Sequence, residues 1–169
     1  MIINSSYGLD PGQVKQFIVV PTLTAMGSQF ASLSAINLCL GIAMAESRLR
    51  YKRQITNSGF GPARGLPQME PATHDDCWTN WLNFPAQAQV AKVIRGLIGN
   101  LTPNADLMIA NDSYAFALER IKIYRDKEPL PAWNDAAGMS RYHKRVYNTS
   151  SGAADADANV VHFKAAIAA

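Results

Sequence analysis

Apolar positions recur at helical spacing over most of the chain. The first such stretch opens at Asp10-Pro11-Gly12, where an acid ahead of a proline makes a helix start. Val14, Phe17, Ile18 and Leu23 carry the helix on, with Pro21 as a kink or break and Gly27 as its end. A second helix, capped by Ser32 or Ser34, is predicted to run to about Arg50, with Ile36, Leu40, Ala43 and Met44 as one stripe. Lys15 is the sole charged residue from 11 to 45, so both helices are expected to be mostly buried and to form the centre of the domain. Gly59, Gly61, Pro62, Gly65, Pro67 and Pro71 then interrupt any long helix, and this stretch reads as a structured loop with room for a short hairpin. Pro71-Ala72-Thr73 opens a helix through Trp78 and Trp81. Two amphipathic helices follow, from Ala86 to Leu101 and from Leu107 to Tyr124. A Pro-rich linker from Lys127 to Ala132, a short helix from Gly138 to Tyr147, a turn from Asn148 to Gly152 and a helix from Asp157 to Ala168 complete the chain. No internal repeat is present, and the class is mainly α in one domain.

Composition narrows this picture. The 169 residues suffice for one core without disulfide staples, and 48% hydrophobic against 17% charged residues excludes whole-chain disorder. A net charge of +3 falls short of a dedicated nucleic-acid binder, and no basic motif with interleaved aromatics appears. The longest apolar run near the N-terminus, Leu38 to Ala45, is far below the roughly 18 residues of a membrane span, so no integral membrane segment is expected. No Lys or Arg precedes Lys15, so no secretory signal peptide is predicted. Cys39 and Cys77 lack a metal-ligand spacing and sit in unlike contexts, which favours two free thiols over a bridge.

The chemistry centres on Glu46. It lies near the C-terminal end of the most apolar helix, on the face of Ile42 and Cys39. Poor solvation and the negative end of the helix dipole both favour its neutral acid, the form a general acid needs to protonate a glycosidic oxygen. The plain alternative is that Glu46, one of thirteen acids, pairs with Arg50 at i+4.

Glu46-Ser47, then Gly65-Leu66-Pro67-Gln68-Met69 with Pro71-Ala72-Thr73, then Tyr147-Asn148 with Gly152, form three ordered motifs. Over roughly residues 30 to 150 they resemble the soluble lytic transglycosylases of the lysozyme superfamily. The strings from Gly65 to Asp76 and from Tyr142 to Thr149 resemble a phage-encoded, virion-associated subgroup. The resemblance implies a lysozyme-like domain over residues 31–150 with a small irregular or β lobe, flanked by attachment segments at 1–30 and 151–169. It implies a virion enzyme of the tail or baseplate that cuts the bond between N-acetylmuramic acid and N-acetylglucosamine in peptidoglycan glycan strands, without cofactor or metal. Glu46 would be acid and then base, closing a 1,6-anhydro ring, so that one carboxyl replaces the usual glycosidase pair. Ser47, Gly65, Leu66, Gln68, Met69, Tyr147 and Asn148 would bind substrate, with the Tyr147 hydroxyl orienting the Glu46 carboxyl.

Two departures stand out. Pro67 occupies a position where the family has a bulky residue, and Gly152 is displaced to four residues after Asn148. They motivate a second reading, a tail, baseplate or hub protein that keeps the lysozyme-like fold with little activity; a lysozyme-type hydrolase is the nearer alternative. Other residues have plainer expectations. His74, Asp75 and Asp76 decorate a helix start, His143 lies on a solvated helix face, Trp78 and Trp81 pack in the core, and Trp133 pins the linker. Arg48, Arg50, Lys52, Arg53, Arg64, Arg141, Lys144 and Arg145 flank the motifs, which predicts a basic groove around Glu46 suited to carboxylate-bearing peptide stems.

Overall fold

A computed structural model describes residues 6–147 and 155–169. Among them the chain is mainly helical, with one two-stranded antiparallel sheet. Helix α1 is continuous through Pro11–Val14, a π-helical turn Lys15–Val19 and Val20–Met26. Pro21 therefore does not break it. The wider π turn ahead of Pro21 accommodates a residue with no N–H to donate, and Gly27, at φ 126°, ends the helix.

Helix α2, Leu33–Ser47, starts on the Ser32 hydroxyl, which accepts from the Ala35 N–H. Residues 35 to 44 are all buried, which explains why its sequence is apolar on every face. It stops three residues short of Arg50 because Arg48 and Leu49 both adopt left-handed backbone, φ 55° and 52°. Leu49 is buried and anchors that turn.

The hairpin expected in the Gly/Pro-rich stretch is β1, Arg53–Thr56, paired with β2, Gly59–Arg64. Thr56 pairs with Gly59, Ile55 with Phe60 and Arg53 with Arg64. The register shift between the last two pairs leaves extra β2 residues around Pro62, which cannot donate to a ladder.

Helix α3, Pro71–Cys77, continues as a π turn Trp78–Leu82, and α4, Ala88–Leu97, follows a 3-10 turn. The stretch from Leu107 to Tyr124 is two helices, α5 (Leu107–Ala110) and α6 (Asp112–Tyr124). Asn111 divides them: its Oδ1 caps α6 at the Tyr114 N–H, and its Nδ2 donates to the Leu97 carbonyl. Helices α7, Ala136–Val146, and α8, Ala156–Ala168, are capped by Asp135 and Asp155.

Two core clusters result. The first joins α1, α2, α7 and α8; the second joins α3, α4 and α5. Helix α6 serves both, giving Phe116 and Ile123 to the first and Tyr114, Leu118 and Ile121 to the second. Cys39 lies in the first cluster and Cys77 in the second, both as buried free thiols. At Gly41 α8 packs directly against α2: a Cβ there would overlap the Phe163 ring. Trp78 and Trp81 pack in the second cluster, and the Asn37 side chain holds the linker by the Trp133 carbonyl while that indole stays half exposed. No helix among the described residues is long and apolar enough to cross a membrane.

Candidate active site

The end of α2 opens into a groove of about 670 Å³, with Glu46 in its wall. The hairpin side supplies Tyr51, Gln54, Ile55 and Ala63, the following loop Gln68 and Met69, and α3 with its cap Glu70 and Thr73. Lys122 of α6 and Tyr147 after α7 close it. The Glu46 side chain is 22% exposed, the accessibility of a group that can touch a ligand while backed by protein.

Glu46 is held by a residue that the sequence assigns to solvent. His143 is 1% exposed, and its Nε2 lies 2.8 Å from Glu46 Oε1. Its Nδ1 is buried with no partner among the described residues. An unmet acceptor is tolerated better than an unmet donor, so the ring fits the tautomer with its proton on Nε2, donating to Glu46. The orienting role expected of Tyr147 therefore falls to His143. The Tyr147 hydroxyl instead donates to the Pro67 carbonyl at 2.8 Å and ties the end of α7 to the groove loop. Burial, then the Glu119 and Glu46 carboxyls, raise the phenol well above its ordinary value, which keeps that donor protonated.

Glu119 of α6 lies fully buried beneath this site, and neither of its oxygens has a hydrogen-bond partner among the described residues. Burial, and secondarily the charge of Glu46, push its pKa well above the carboxylate range, so it stands as a neutral acid.

The loop residues divide. Gln68 reaches the groove from a left-handed backbone position, φ 53°, and its Nε2 donates to the Gly65 and Tyr51 carbonyls at 2.8 and 3.2 Å. With both donors so used, the amide offers Oε1, an acceptor, to a ligand. Met69 lines the groove from the second core. Gly65 and Leu66 lie behind it. Gly65, at φ 71°, passes so close to α6 that a Cβ would meet Ala115 Cβ at 2.9 Å, and Leu66 is fully buried. Ser47 is likewise buried and donates to the Ala43 carbonyl, within its own helix. Asn148 and Gly152 lie outside the described residues.

Two charge expectations change. None of the eight basic residues flanking the motifs lines the groove. Lys52 pairs with Asp112, Arg64 with Asp106 and Arg145 with Asp126, and Arg50 and Arg141 are exposed elsewhere. The groove carries Glu46, Glu70 and one cation that the motifs do not flank, Lys122. His74 is also not a surface group. It is buried between Asp75 Oδ1 and the Tyr114 hydroxyl, 2.7 Å from each, and the same hydroxyl accepts from Trp78 Nε1. This network fixes α3 to α6. No group of metal-ligating side chains occurs among the described residues.

The site thus presents the partly exposed Glu46 carboxyl in a polar groove, held from behind by a buried imidazole. A carboxyl so placed can give and take a proton at a bound ligand. No family model, curated protein or solved structure matches the chain.

Proposed function

We propose that the chain is a peptidoglycan lytic transglycosylase with a lysozyme-like fold, carried in a phage particle and acting on the host cell wall during infection. The observation that carries this reading is the convergence on one groove of a residue from each of three motifs far apart in sequence: Glu46, Gln68 with Met69, and Tyr147. Polar side chains predominate in the groove's lining, which suits a hydroxyl-rich sugar.

In the proposed reaction Glu46 in its neutral form gives its proton to the oxygen between N-acetylmuramic acid and N-acetylglucosamine as that bond breaks. The resulting carboxylate takes the proton of the muramyl C6 hydroxyl, whose oxygen bonds to C1 and closes the 1,6-anhydro ring. Glu46 ends protonated, and no water is consumed. His143, donating to Oε1 throughout, leaves the travelling proton on Oε2 in both steps. Gln68 Oε1 accepts from a sugar hydroxyl or acetamido N–H.

Purified chain incubated with sacculi is expected to release 1,6-anhydro muropeptides, and Glu46→Gln to abolish their release. Reducing-end products alone would select a hydrolase. Absence of both would remove the enzymatic reading and leave the structural tail or baseplate protein.

A further inference from the structure

The groove does not end at α6. Lys122 also lines a second depression, of about 370 Å³, whose other walls are Asp76, Arg125, Asp126, Arg145 and Val146. Groove and depression therefore meet at one side chain. Two of the three cations there are neutralised. Arg125 Nη1 is 2.6 Å from Asp76 Oδ2, and Arg145 grips Asp126 through two bonds of 2.7 and 3.2 Å and reaches Glu128 at 3.1 Å. Lys122 has no carboxylate partner among the described residues; its Nζ lies 5.2 Å from the Tyr147 ring centroid. Burial lowers its pKa, and the Asp76 and Glu70 charges nearby act the other way without touching it. A half-withdrawn ammonium without a counter-ion gains strongly from a carboxylate brought to it.

We propose that Lys122 marks a branch subsite: the polymer lies in the main groove past Glu46, and a carboxylate-bearing branch leaves it over Lys122 into the depression. The inference rests on the transglycosylase reading and names the substrate form that the site prefers. The depression is lined by Asp76 and Asp126 together with Arg125 and Arg145, a polar wall against which a peptide branch can lie once its carboxylate meets Lys122. The carboxylate that Lys122 meets belongs either to the stem or to the lactyl group of stem-free muramic acid.

The test is binding by the full chain carrying Glu46→Gln, which prevents turnover, to three glycans of equal length: stem-bearing muramyl glycan, stem-free muramyl glycan and an uncharged chitin oligosaccharide. Adding Lys122→Met is expected to weaken stem-bearing glycan about tenfold. The preference over chitin oligosaccharide should collapse toward one, and Lys122→Arg should restore most of it. A loss confined to stem-bearing glycan assigns the carboxylate to the stem; a loss confined to stem-free glycan, whose lactyl carboxyl is not tied up as an amide, assigns it to the lactyl group. An unfolding midpoint matching that of the parent separates these losses from misfolding. No loss, or an equal loss on all three glycans, overturns the branch subsite while anhydro product from the wild-type chain still upholds the enzyme. A wild-type chain that releases no product and binds none of the three overturns both.

Discussion

Glu46 and His143 show how one side chain sets the working geometry of another. Imidazole Nε2 at 2.8 Å from Oε1 pins a carboxyl that sits at the end of its helix, where rotamer freedom would otherwise spread it over several positions. A misplacement of about 1 Å can cost roughly 10²-fold in rate. His143→Ala is therefore expected to lower kcat for anhydro product release by about 10²-fold and to move KM by no more than about twofold, with partial recovery in His143→Gln, whose amide can again donate. Steady-state kinetics on soluble glycan fragments checks this; a rise in KM with kcat intact would make His143 a binding residue instead. The motif text made Glu46, Gln68, Met69 and Tyr147 legible because those residues stand inside it. His143 was hidden by Arg141, Lys144 and Arg145, which give its segment a solvated look. The signal was present in periodicity: Met139, Tyr142, His143 and Val146 stand at i, i+3, i+4 and i+7, and that stripe faces the first core. Lys122 and Glu119 carried no comparable mark, since one charged residue on an amphipathic helix looks like any other until the fold aims it.

At the scale of elements, α2 is the part that the apolar pattern described best, and its termini are where pattern reasoning ended. Burial on every face follows from 35 to 44 having no charged residue. The stop at Ser47 follows from two successive left-handed residues that no propensity favours, Arg48 and Leu49, held there by the burial of Leu49 and by the Gly8 N–H, which donates to the Arg48 carbonyl at 2.8 Å. A tertiary bond to the Leu97 carbonyl likewise fixes Asn111 where it divides a helix, whereas Pro21 stays inside one because a π turn precedes it. Within α2, Gly41 has a packing reason that composition did not reveal, the Phe163 ring lying where a Cβ would stand. Gly41→Ala should destabilise the chain by about 1 to 3 kcal/mol through that overlap, and Phe163→Ala by about 3 to 5 kcal/mol through the cavity it leaves. The two effects should couple. In the Phe163→Ala background the overlap is gone and alanine's helix propensity remains, so adding Gly41→Ala should stabilise by up to about 1 kcal/mol. Denaturant unfolding of the four proteins measures the cycle, and additive losses would mean that α8 does not cross α2 at Gly41.

Over the whole molecule, the two core clusters meet along α6, and the groove draws on both: Glu46 and Tyr147 come from the first, Met69 and its neighbours from the second. Its geometry therefore depends on the first cluster staying closed, and that cluster is closed by the two ends of the chain, the segments that the motif resemblance left outside its span. Lys15 Nζ donates to the Ala166 carbonyl at 3.0 Å, and the Tyr7 hydroxyl donates to His162 Nδ1 at 2.7 Å, with Arg48 Nη1 at 3.5 Å from the same nitrogen. A proton on Nδ1 would remove the acceptor both groups use. Burial, then the charge of Arg48 and a smaller contribution from His143, lower the His162 pKa from 6.5 to about 4. The unfolded chain thus takes up this proton first as pH falls, so His162 destabilises the fold progressively from about pH 6.5 down to about pH 4 and adds no further loss below that. The full effect is about 3 kcal/mol. The buried His74, whose pKa is also lowered, adds to the slope in the same direction, so the wild-type curve alone does not isolate His162. Replacing His162 with Gln removes the titrating group and keeps a side chain able to accept from Tyr7. The variant's unfolding free energy should therefore fall less than the wild type's between pH 7 and pH 4.5, by about 2 kcal/mol. Equal slopes for the two proteins would mean that the clasp between the chain ends does not depend on a neutral His162.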